Sequence, residues 1–215
     1  MMAYLKLVVN PLDEESFRRV VNKPARGIGD TSLDALDKAA RAHQTSLFKA
    51  AWLDDLESFG LRPAAIARIR AFCEMINGFA MQAEDGNAEE IAFKLADESG
   101  YKAMLAADTS IEGQGRKSNV EELLNSISIY VDEICTEAEE NGEDAPVVTL
   151  GDYLENVSLL ANADTQDGDD SDRVSLMTAH SSKGLEFKHV IITGMEENLF
   201  PSMNMISSLK DIEEE

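Results

Sequence analysis

Two short stretches of this chain carry residue types at spacings that could do chemistry. The first reads Thr178-Ala179-His180-Ser181-Ser182-Lys183-Gly184-Leu185-Glu186-Phe187. It gathers a hydroxyl, an imidazole, an ammonium, a glycine and a carboxylate between two apolar runs, Val174–Thr178 and His189–Thr193. Short β-branched runs of that kind predict buried strands. A polar loop between strands lies at a sheet end, where α/β proteins bind ligands. A carboxylate there accepts from sugar hydroxyls, and a Thr or His donates to phosphate or sugar. The stretch is not a Walker A loop, because Lys183 precedes its glycine and the Gly-x-x-x-x-Gly-Lys-Ser/Thr spacing is missing. An ordinary solvated turn fits these residues as well as a ligand loop does.

The second stretch is Lys23-Pro24-Ala25-Arg26-Gly27-Ile28-Gly29-Asp30-Thr31. Two glycines around an apolar residue, just ahead of a helix, let the backbone approach a phosphate closely. The helix start behind them offers free N–H groups and the positive end of a dipole. Lys23 and Arg26 add charge. The plainer alternative is a tight interhelical turn whose glycines only supply positive φ. A weaker relative follows at Phe59-Gly60-Leu61-Arg62-Pro63, with Arg68 and Arg70 close by; a helix-ending glycine accounts for Gly60 more simply.

Both stretches carry a resemblance. Thr-x-His-x-x-Lys-Gly-Leu-Glu-Phe, then an apolar run and Gly194-Met195-Glu196-Glu197-x-x-Phe200-Pro201, closely resembles motif V of superfamily 1 DNA helicases of the UvrD/Rep/PcrA type. Asn22-x-Pro24-x-Arg26-Gly27-Ile28-Gly29 resembles the duplex-gripping hairpin of the accessory 2B subdomain in the same helicases. The resemblance implies that Glu186 contacts the ribose of ATP, with Gly184 and Lys183 linking the nucleotide cleft to DNA. It implies that Thr178 and His180 touch the single strand, and that Lys23, Arg26, Gly27, Ile28, Gly29 and Thr31 hold duplex. The implied activity is ATP-dependent 3′–5′ unwinding in the cytoplasm, with ATP and Mg as cofactors of the whole enzyme and none expected on this piece. Its partners would be DNA, at the duplex and the single-strand junction, and the remaining helicase domains. Walker A, the Asp-Glu pair for magnesium and the arginine finger are absent, so this chain alone is expected not to hydrolyse ATP.

The elements that must position these residues are mostly helical. Apolar spacing and stop signals predict helices at about 2–9, 16–21, 30–43, 47–59, 63–82, 88–98, 100–107, 118–140 and 149–162, with Asp30 or Thr31 capping the third. Phe48 and Trp52 are expected in the core, and Ser99-Gly100-Tyr101 is expected to pack. The fold class is therefore mainly α. By the resemblance, residues 1–9 end a motor-domain helix, 10–170 form the helical 2B-like subdomain, and 171–215 form an incomplete α/β segment of a RecA-like domain. No apolar run is long enough for a membrane span. The cysteines, Cys73 and Cys135, have no partner at metal-ligand spacing.

Net charge constrains any nucleic-acid contact. At −22, the chain as a whole repels phosphate. Residues 1–70, however, hold 11 Lys/Arg against 9 Asp/Glu, whereas 71–215 hold 8 against 32. DNA contact is therefore expected in the first third. The acidic remainder suits a second role, docking of a basic protein partner or restraint of the motor without direct DNA binding.

Overall fold

The computed structural model describes residues 1–163, 174, 176–178 and 181–195, and the chain divides into two units, Met1–Asp167 and Gly168–Glu215. The first unit is helical: α1 (Met2–Val9), α2 (Glu14–Val20), α3 (Asp30–Ala42), α4 (Leu47–Ala50), a 3-10 helix (Leu56–Phe59), α5 (Pro63–Ala83), α6 (Ala88–Glu98), α7 (Tyr101–Ala107), α8 (Ile111–Glu140) and α9 (Leu150–Ala163). The central element is α5. Pro63 at its first turn costs no hydrogen bond, and Ile69, Phe72, Cys73, Ile76 and Phe79 bury one face at three- and four-residue spacing. Phe72 meets Phe17 of α2 edge to face at 5.6 Å. Burying each such side chain contributes about 1.5–3 kcal/mol. Truncating Phe72 to Ala would cost about 3–5 kcal/mol.

Helix α1 packs on α2 and α5, and its Tyr4, Leu5, Leu7 and Val8 lie in the same core as the rest of the unit. Helices α7, α8 and α9 pack on α6. Ser99 is buried, and Tyr101 packs edge to face on Tyr4 at 5.9 Å, so the Ser99–Tyr101 turn does pack as expected.

Several helix boundaries depart from the pattern. The expected helix over 47–59 breaks after Ala50, and Arg70 receives the exposed backbone, donating from Nε to Ala51 O and from Nη2 to Leu53 O. The break ends the stripe joining Phe48 to Trp52, so Phe48 stays partly buried while Trp52 is 46% exposed. Helix α8 starts at Ile111 rather than 118, because the Ser110 hydroxyl accepts from Gly113 N and caps it. Gly60, at φ +94, ends the 3-10 helix in the left-handed conformation expected of a terminating glycine.

In the second unit the expected strands are corrected. Residues 176–178 and 190–195 have no regular structure, and Val190, Ile191 and Ile192 are 66%, 89% and 67% exposed. A strand needs a ladder partner and a covered face, and no strand supplies either among the described residues. No helix among those residues is long and apolar enough to cross a membrane.

Candidate nucleic-acid interface

The two glycine turns that the sequence singles out come together. Gly27, Gly29, Thr31 and Ser32 from the first, and Gly60, Arg62, Ala64, Ala65 and Arg68 from the second, line one groove of about 530 Å³. It is opened by the N-termini of α3 and α5. Neither helix has a side-chain cap, whereas Asp13, Ser46, Asn87 and Ser110 cap α2, α4, α6 and α8. The expected cap at Asp30 or Thr31 is thus corrected: Gly29 is the N-cap, and both residues fall inside the first turn. The N–H groups of Asp30, Thr31 and Ala64 consequently have no partner within the described protein. Uncapped starts leave donors and dipole ends facing the groove.

Charge in the groove comes from Arg62 and Arg68, both exposed. Arg68 Nη1 donates to Gly27 O at 3.0 Å, which joins the two turns into one unit. Among the described residues the ion pairs engage Arg18, Arg41, His43, Lys102, Arg116 and Lys117, and neither groove arginine. Gly27 is held by its φ of +68. Its conformation suits glycine, and a Cβ there would lie 2.6 Å from Arg68 Nη1. Gly29 has ordinary φ, and open space where a Cβ would stand.

Two residues expected to hold duplex have polar groups engaged within the protein. Ile28 is fully buried, and its N–H donates to Asn22 Oδ1 at 3.2 Å. Arg26 turns inward, donating from Nη1 to Val20 O, Val21 O and Pro24 O, and from Nη2 to Tyr4 Oη and Ser99 O. The reason is local. The chain folds back at Lys23–Pro24 and leaves carbonyls converging beneath the turn, which a planar guanidinium satisfies better than water could. Lys23 is exposed beside the hairpin but does not line the groove. Sequence reading missed Asn22, whose only signal was its place at the head of the motif.

A family profile, the UvrD-like helicase C-terminal domain, matches residues 1–215. The chain belongs to this family. It is similar to the ATP-dependent DNA helicase PcrA of Bacillus subtilis, 32% identical over 219 residues, and to that of Staphylococcus epidermidis, 36% identical over 218. It is also similar to DNA helicase II of Escherichia coli, 34% identical over 217 residues. In each case all of this chain is covered and 28% of the relative, so the chain spans under a third of their length.

In this UvrD-like chain, residues 181–184 of the motif form a turn. Thr178 Oγ1 accepts from Ser181 N at 3.1 Å and lies 2.8 Å from Ser181 Oγ. Gly184, at φ +87, follows, and Lys183 and Glu186 are exposed on either side of it. His180 lies outside the described residues. The described part presents one exposed ammonium, Lys183, and one exposed carboxylate, Glu186. Among the described residues no group of three acidic, His or Cys side chains could hold a metal.

Proposed function

We propose that this chain is the duplex-holding part of an ATP-dependent DNA helicase, working in the cytoplasm, and that the groove between α3 and α5 seats a backbone phosphate of duplex DNA. One observation carries the reading: two uncapped helix N-termini and two arginines that form no ion pair among the described residues share one groove. The partner-free N–H groups of Asp30, Thr31 and Ala64 offer donors to phosphate oxygens, as does the Thr31 hydroxyl. Arg62 and Arg68 supply the cations, and Lys23 adds to the field beside them. All of these groups address the backbone rather than base edges, so binding is independent of sequence and falls with salt.

The turn at Thr178–Glu186 serves the motor in this reading, not the groove. Glu186 would meet the ATP ribose, Gly184 and Lys183 would link the nucleotide cleft to DNA, and Thr178 and His180 would meet the single strand, once other helicase domains complete the cleft. Bound ATP and Mg would supply the phosphoryl chemistry. The phosphate cradle and the metal carboxylates are missing from this sequence, and no step is derived from these residues alone.

The test is fluorescence anisotropy of a labelled duplex with a 3′ single-stranded tail, titrated with the chain at low and moderate salt. Arg62→Gln/Arg68→Gln is run alongside. The expected result is salt-sensitive binding to wild type, with the log–log salt slope reduced in the double variant by about 0.9 for each phosphate no longer neutralised. Binding unchanged in the double variant would remove the groove from the reading. No binding by folded wild type would favour a role of the acidic remainder in holding a basic protein partner.

A further inference from the structure

Below the groove hairpin lies a polar assembly that the duplex-holding reading does not use. Asn22 Oδ1 accepts from two backbone groups of the hairpin, Arg26 N at 2.7 Å and Ile28 N at 3.2 Å. The Arg26 guanidinium reaches five acceptors from three segments: three carbonyls at 3.2–3.3 Å on Val20, Val21 and Pro24, then Tyr4 Oη of α1 and Ser99 O of the α6–α7 turn, each at 2.8 Å. Tyr4 in turn donates to Lys23 O at 2.5 Å. The guanidinium lies over the Phe72 ring at 5.0 Å and beside the Tyr4 ring at 5.9 Å. No ion pair engages Arg26 among the described residues.

A charged group drawn from water without a counter-ion is costly, and an apolar side chain of similar volume would pack there more cheaply. What only an arginine provides is a planar fork that fixes several acceptors at once. Its effect on the hairpin is directional. The N–H groups of residues 26 and 28 are held inward, while that of Thr31, which lines the groove, has no partner among the described residues.

We infer that Arg26, with Asn22 and Tyr4, positions the hairpin: it touches no DNA and determines which backbone donors face the phosphate. This rests on the duplex-holding reading. It also joins α1 and the α6–α7 turn to the groove through a single side chain, so displacement of either element reaches the phosphate donors.

The experiment uses the whole chain carrying Tyr4→Phe, Arg26→Lys or Arg26→Gln, each checked by thermal melting. Affinity for the tailed duplex is measured over a salt series, and amide hydrogen exchange at Ile28 without DNA. Both Arg26 variants are expected to lose about tenfold in affinity, Tyr4→Phe about threefold, with faster exchange at Ile28 and an unchanged salt slope. Three results would each overturn the inference. Arg26→Lys could bind as wild type, showing that charge alone matters. Arg26→Gln could lower the slope by about 0.9 while Tyr4→Phe binds as wild type, showing a direct phosphate contact. Tyr4→Phe could leave both affinity and exchange unchanged. Should the Arg26 variants not fold, Tyr4→Phe, which removes one hydroxyl, decides the matter. Folded wild type that binds no duplex would sink the groove reading, and the Ile28 exchange rates would then judge the positioning assembly separately.

Discussion

Replacing Gly29 with Asp should move stability and DNA binding in opposite directions. Gly29 is the N-cap of α3, with φ −83 and ψ 170, a conformation any L residue adopts, and nothing stands within 4 Å of where its Cβ would be. An Asp side chain there can accept from the N–H of Thr31 or Ser32, as Asp13 does from Ser16 N at the start of α2. Exchanging Gly for Asp at an N-cap gains a few tenths of a kcal/mol. Removing a glycine from the unfolded chain adds about 0.4–1 kcal/mol where the native φ is compatible. The sum, about 0.5–1.5 kcal/mol, raises the melting temperature by about 1–6 °C in a chain of this size. For DNA the same carboxylate occupies the donors and sets negative charge against the phosphate. At about 5 Å and an effective dielectric of about 20 the repulsion is about 3 kcal/mol, and salt in an open groove reduces it to about half that. Affinity should therefore fall about 10- to 100-fold. Melting followed by circular dichroism and duplex anisotropy on one preparation reads both effects. A raised melting temperature with unchanged affinity would refute the seating of phosphate on α3, and a lowered one would refute the cap geometry.

Three further outcomes are expected. A thiol reagent should modify half-exposed Cys135 on the native protein and reach Cys73 only on unfolding, since Cys73 is buried and desolvation pushes its thiol pKa up to about 12; mass spectrometry of the labelled peptides checks the order. Gly113→Ala should destabilise by up to about 2 kcal/mol, because a Cβ there lies 2.6 Å from the Asp108 carbonyl and overpacking at about 1–3 kcal/mol opposes a helix-propensity gain of about 1. Gly115→Ala, with open space around it, should stabilise, and urea unfolding of the pair compares them. Burial raises the Tyr4 pKa above its ordinary 10. Its contribution to stability is therefore fully present below about pH 10 and lost as pH climbs through the folded value, so Tyr4→Phe should flatten the alkaline fall in unfolding free energy.

The helices were legible wherever an apolar stripe ran uninterrupted, as on α5, and their ends wherever Pro or Gly stood at a boundary. Long-range capture was not legible. Nothing local to Ala51–Leu53 announces that Arg70, most of a helix away, will take its carbonyls. The two glycine turns could be read as separate candidates, and their meeting in one groove could not, because Arg68 and Gly27 are joined only by the tertiary fold. Arg26 shows the same limit in its sharpest form. A cation beside two glycines reads as a phosphate ligand, and only the convergence of carbonyls beneath the hairpin turns it inward.

Segregation of charge, rather than net charge, reconciles the groove with a chain of −22. Screening at physiological salt confines exposed charges to about 8 Å, so a phosphate in the groove responds mainly to Arg62, Arg68 and two helix ends. The acidic surplus lies in residues 71–215, about a quarter of it on α8, which packs on α6 and α7 while α3 and α5 open the groove. As salt falls the screening length grows, and repulsion from the acidic remainder starts to oppose the local attraction. The salt dependence of duplex binding should accordingly flatten at low ionic strength instead of steepening. Neutralising Glu133, Glu137 and Glu140 to Gln should restore a straight log–log line without touching the groove. A line already straight in the wild type would show that the acidic helix is too remote to matter, and that the groove's own arginines set the whole of the electrostatic response.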